Sequence, residues 1–229
     1  MDDTARTPAP LLVTLAGLTA VSGFLDAVSY LALGHVFTAN MTGNVLLLGF
    51  AAAGAAGFSF TASLCALAFF LGGAVVGGLL AARVGVSRSL VLTALGVETS
   101  LTVAAALVAA LVGSVGSGWP RFVVIALVAF AIGTRNAAVR RLAVPDMSTT
   151  VLTTTLTGLA SESVLAGGAN PHLRNRTTSV VAMFAGAVVG AVLVLHAGAA
   201  SSLAVAAALV VAAAAYFALQ SPLELGLAS

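Results

Sequence analysis

Six runs of apolar residues, each close to the length that crosses a lipid bilayer, limit what this chain can become. They cover residues 11–33, 60–82, 90–112, 122–139, 179–195 and 201–219. A helix of about 20 mainly apolar residues spans the roughly 30 Å hydrocarbon core. Charged residues make up only 7% of the chain and hydrophobic residues 60%. A soluble domain carries about 25% charged residues, so this composition cannot cover a water-facing surface. The sequence predicts one all-α integral membrane domain over residues 1–229, with the lipid bilayer as its surroundings. The formal charge of +2 rests on few residues and gives no argument for a nucleic-acid partner. The acidic start, Met1-Asp2-Asp3, is unlike the positive opening of a cleaved signal peptide.

Two further segments are shorter or more polar. Residues 40–57 open on Asn40-Met41-Thr42-Gly43-Asn44, and residues 147–167 are rich in Thr and Ser and carry Glu162. Arginine placement separates two topologies, because cytoplasmic flanks hold the excess of Lys and Arg. If both segments span, the flanking arginines divide evenly between the two sides. If both dip in and return, Arg6, Arg83, Arg88, Arg140, Arg141, Arg174 and Arg176 share the cytoplasmic side, with Arg121 alone outside. The second arrangement fits the rule. It gives six spanning helices plus two re-entrant or short helices, with both termini cytoplasmic.

An internal repeat points the same way. Gly23-x-x-Asp26-Ala27 matches Gly133-x-x-Asn136-Ala137, Met41-Thr42 matches Met147-Ser148, and Gly73-Ala-Val-Val-Gly77 recurs as Gly186-Ala-Val-Val-Gly190, at offsets of 110, 106 and 113 residues. Repeat one covers about 11–112 and repeat two about 118–219. Each half reads span, hairpin, span, span, and an odd number of spans per half inverts one against the other. The glycine pairs have small-xxx-small spacing, which suits close packing within the fold or a homodimer contact through Gly73/Gly77 or Gly186/Gly190.

Charge inside apolar runs marks the candidate site. A carboxylate near the bilayer centre costs about 2.5–3.5 kcal/mol on insertion scales and is functional by default. Asp26 and Glu98 are the two such acids. Each is read as a proton carrier or a ligand for substrate or ion, or else as a packing contact. Arg135, beside Asn136, either pairs with one of the acids, holds an anion by its fork of donors, or snorkels to the headgroups. Asn40, Thr42, Gly43 and Asn44 in the first elbow, and Asp146, Ser148 and Thr149 in the second, read as helix starts. Meeting at mid-membrane, they would direct backbone N–H groups at a substrate. His35, His172 and His196 lack metal-ligand spacing, and Cys65 stands alone. No metal, cofactor or enzyme chemistry is expected.

The segments Gly23-x-x-Asp26-Ala27, Phe37-Thr-Ala-Asn-Met-Thr-Gly-Asn44 and Gly133-x-x-Asn136-Ala137 resemble the YoaK-like family of uncharacterised bacterial inner-membrane proteins. The resemblance implies a polytopic protein of about six spans in the bacterial inner membrane and supplies no substrate. From the residues, the expected function is a small secondary transporter or channel with a central polar site, proton-coupled or anion-binding. The alternative is a membrane scaffold or accessory subunit without transport activity.

Overall fold

The computed structural model describes residues 8–142, 152–170 and 172–220. Among them the chain forms seven α-helices: α1 (Ala9–Ala32), α2 (Met41–Ala52), α3 (Phe60–Val84), α4 (Arg88–Val112), α5 (Gly118–Arg141), α6 (Leu152–Ser161) and α7 (Leu173–Leu219). A single 3-10 turn, Val164–Ala166, follows α6. Polar residues set several helix starts. Asn40, Ser59 and Ser87 accept the Gly43, Ala62 and Leu90 amides and so satisfy N–H groups that the first turn leaves open.

Five helices, α1, α3, α4, α5 and α7, are long and apolar enough to cross a membrane. The six expected runs are therefore carried by five helices, because 179–195 and 201–219 both fall in α7. That helix has 47 residues. A straight helix of this length would reach about 70 Å, more than twice the bilayer core. Its backbone leaves helical geometry at Gly198 (φ 78°, ψ 176°), between the two runs. Gly85, which ends α3 at φ 75° and ψ 179°, has the same conformation and lies 113 residues earlier. That region of backbone space is open essentially to glycine alone.

The bundle is organised by close glycine contacts. α1 runs along α7 and α3 along α5, while α4 packs on both α5 and α7. A β-carbon on Gly186 would collide with the Ala20 carbonyl oxygen, and one on Gly190 with the Phe24 carbonyl. One on Gly23 would strike the Met183 carbonyl in return. The second crossing repeats these contacts. Gly73 lies against the Phe130 carbonyl, Gly77 against Thr134 and Gly133 against Phe70. Missing side chains let the backbones approach, the usual route to helix association where lipid removes any hydrophobic drive. Both glycine pairs thus pack within one chain.

The two short helices lie apart on these pairs. α2, about 18 Å long by helical rise, packs on α3, and α6 packs on α7. Large apolar side chains on the outer faces of α3, α4 and α7, such as Leu71, Val75, Leu111, Phe184 and Leu195, are exposed. In water such a face would be a liability; in a bilayer it is the expected one.

Candidate functional site: a buried polar core between three helices

α1 carries one polar face. Leu18, Ser22, Asp26 and Ser29 recur at spacings of four, four and three residues, which places them along one side of the helix. Ser22, Asp26 and Ser29 are all buried. The face meets two different partners. Its C-terminal end holds the first elbow, and its middle meets α5.

At the elbow, Asp26 Oδ1 accepts the Thr38 amide at 2.9 Å and the Ala39 amide at 2.7 Å. Ser29 Oγ lies 3.5 Å from Thr38 Oγ1. Asn44, fully buried, closes the same turn from the other side. Its Oδ1 accepts the Phe37 amide at 2.9 Å, and its Nδ2 donates to the Phe37 carbonyl at 2.6 Å. Asn40 caps α2 through the Gly43 amide at 3.2 Å. Gly43 is small because the Phe37 ring lies where its β-carbon would stand, and that ring stacks on Tyr30 with centroids 5.0 Å apart. Thr42 is exposed and takes no part. The elbow is thus a self-satisfied turn, and Asp26 is the clasp that fixes it to α1.

The centre is Arg135 on α5. Its side chain has no exposed surface, so it does not snorkel to headgroups. Nη1 donates to Glu98 Oε1 on α4 at 2.9 Å and to the Leu18 carbonyl on α1 at 3.3 Å. Nη2 donates to Ser22 Oγ at 2.6 Å and to Asn136 Oδ1 at 3.2 Å, and Nε to the same Asn136 oxygen at 3.3 Å. A guanidinium has five N–H groups, and all are engaged. The arginine therefore joins α1, α4 and α5, and it has no vacant donor with which to hold an anion, contrary to one of the sequence expectations. Asp26, one turn beyond Ser22, lies within electrostatic range of Arg135.

Glu98 is also fully buried. Oε1 takes the arginine, and Oε2 has no hydrogen-bond partner among the described residues. One turn along α4, Thr102 is buried and its hydroxyl is likewise without a partner.

A family model described as "Protein of unknown function (DUF1275)" matches residues 14–216. The chain belongs to this family. It is similar to the UPF0700 transmembrane protein YoaK of Bacillus subtilis (strain 168), at 35% identity over 153 residues, which cover 66% of this chain and 65% of that protein. The match thus spans just under two thirds of the Bacillus protein's length. No solved structure matches the chain. With a transmembrane relative and several long apolar helices, this DUF1275 member is a multi-pass membrane protein.

Asp26, the first elbow, Glu98 and Arg135 all fall inside the region matched to DUF1275. Of the residues singled out in the sequence, Glu98, Arg135 and Asn136 come together directly, and Asp26 joins them along the α1 face. Asn40, Gly43 and Asn44 form the elbow. Asp146, Ser148 and Thr149 lie outside the described residues. Ser22, Thr102 and the Leu18 carbonyl were not anticipated. Ser22 carried a signal, since it falls four residues before Asp26. A second ion pair was also missed: Arg176 of α7 meets Glu162 at 3.0 Å, its guanidinium lying over Gly158 of α6.

Proposed function

We propose that this protein is a small secondary transporter or channel whose working site is the polar core joining α1, α4 and α5. One observation carries the reading: Glu98 and Arg135 form a 2.9 Å ion pair with no exposed surface, on helices long and apolar enough to span. Intramembrane ionisable groups mark substrate and ion pathways. Replacing a buried ion pair with apolar residues is often neutral or stabilising, so packing alone gives little reason to keep this one. Asp26 is a positioning residue in this reading, holding the first elbow beside the core.

In the same reading α7 counts as two spans hinged at Gly198, which makes six. α2 and α6 enter the membrane and return, and the halves 11–112 and 118–219 are related by inversion. The matching glycine contacts at the two crossings, and the shared backbone geometry of Gly85 and Gly198, support a duplicated design. The termini are then cytoplasmic, in the bacterial inner membrane.

A scaffold without transport is the second reading. It is favoured by the bonding of Asp26 to backbone amides and by the full occupancy of the Arg135 donors. Reconstitution separates the two. Solutes whose levels change between deletion and overexpression strains are offered to proteoliposomes holding the full chain. Transport predicts flux above protein-free vesicles, reduced tenfold or more by Glu98→Gln in protein that keeps its helical content. Wild type that moves none of these solutes leaves the scaffold.

A further inference from the structure

We propose that Glu98 carries an exchangeable proton on Oε2, so that the species coupled to the polar core is a proton. The proposal rests on the transporter reading and names its coupling ion and its site.

Two buried oxygens without partners lie on one face of α4. Glu98 and Thr102 are four residues apart, the spacing that stacks side chains on successive turns. Both have no exposed surface, and neither Glu98 Oε2 nor Thr102 Oγ1 has a hydrogen bond among the described residues. Buried polar groups are nearly always bonded, and an exception calls for an explanation. Thr102 is an exception twice over. Thr14, Thr19, Ser22, Ser100, Thr134, Thr157 and Ser202 each donate to the carbonyl four residues back. That bond would satisfy Thr102 at no cost, yet its hydroxyl does not make it.

The open valence here is an acceptor. It suits a proton. A hard metal cation gathers six or more oxygens, and no cluster of three His, Cys, Asp or Glu side chains occurs among the described residues. A proton needs only the carboxylate oxygen. The step balances simply: hydronium gives its proton to Oε2, one O–H bond forms, and water leaves.

The surroundings favour a consequence for the arginine. Of the helices packed on α4, α5 presents Arg135, the charge that acts on Glu98. On α3, Cys65 turns to the Phe122 carbonyl and Arg83 is exposed. On α7, Arg176 pairs with Glu162, and Arg174, His196 and Tyr216 are exposed. Once Glu98 is neutral, Arg135 loses its ionic hold on α4 and keeps its bonds to Leu18 and Ser22 on α1. Proton arrival thereby shifts the guanidinium from one helix toward another.

Infrared difference spectra of the full chain in lipid nanodiscs, recorded while pH is stepped down, test this directly. A carboxylic-acid carbonyl band is expected to grow on acidification, to vanish in Glu98→Gln, and to shift in wavenumber in Arg135→Lys, where Oε1 has lost its guanidinium partner. A band unchanged in Glu98→Gln overturns the proposal. So does an Arg135→Lys band identical to wild type, which stays decisive if Glu98→Gln fails to fold. Solute flux without any Glu98 band removes the proton site and leaves the transporter reading standing. A Glu98 band in a protein that moves no solute supports the proton site and removes transport.

Discussion

Arg135 shows how one side chain can hold three helices and why its loss is not one simple quantity. Removing one member of a buried ion pair strands the other, at about 3–5 kcal/mol. Arg135→Gln is therefore expected to lower the melting temperature in detergent sharply. The double change Arg135→Met with Glu98→Leu leaves neither charge of the pair stranded, though it removes the donors to Asn136 Oδ1, and should recover much of that stability while leaving the protein inactive in flux assays. If the double variant is no more stable than Arg135→Gln, the pair is not the stabilising contact. Asp26→Asn keeps an acceptor for Thr38 and Ala39 but turns an amide toward other donors. A loss of about 1–3 kcal/mol is expected, read as faster protease cleavage in the 34–40 loop. Unchanged cleavage would mean that Asp26 does not clasp the elbow. At this scale the sequence disclosed which charged residues are buried among the helices, because charge within an apolar run is conspicuous. It did not disclose who meets whom. Arg135 fitted a headgroup, Asp26 or Glu98 equally well, since a long side chain reaches any of them until the helices are placed. Thr102 was illegible because its meaning lies in a bond it does not make.

At the scale of elements, glycines divide into those the packing needs and those it does not. Gly186→Val drives a side chain into the Ala20 backbone, and backbone cannot rotate away. Overpacking costs about 1–3 kcal/mol where neighbours can yield and should cost more here, so this variant is expected to express poorly or aggregate. Gly96 and Gly17 have nothing near the space a β-carbon would take. Gly96→Ala is expected to stabilise by about 0.5–1 kcal/mol through helix propensity alone, seen as a higher melting temperature. A reversed order for Gly186→Val and Gly96→Ala would contradict the crossing. The Gly-Ala-Val-Val-Gly repeat was legible as a packing surface, but its partners were not. Five helices stand where six runs were read because hydropathy reports length and not direction, and a single glycine at 198 can redirect a helix without interrupting its apolar character.

For the whole molecule, the proposed six-span arrangement with inverted halves makes a claim about sides. A cysteine at Ala55, in the exposed turn after α2, should react with a membrane-impermeant thiol reagent from outside intact cells. One at Leu165, fully exposed after α6, should react only after the membrane is opened. Labelling of both from one side would reject the inversion. Gly23 of the first half packs against α7, and Gly133 of the second half against α3, so partners are exchanged across the chain. This has a consequence for biogenesis. Translation delivers α1 well before α7, so the glycine face of α1 around Gly23 must wait for Met183, Gly186 and Gly190 to emerge. A ribosome stalled before residue 173 would leave α1 without α7, the helix its glycine face packs on. The nascent chain therefore depends on the insertion machinery, or on a foreign helix, to shelter α1 during that interval.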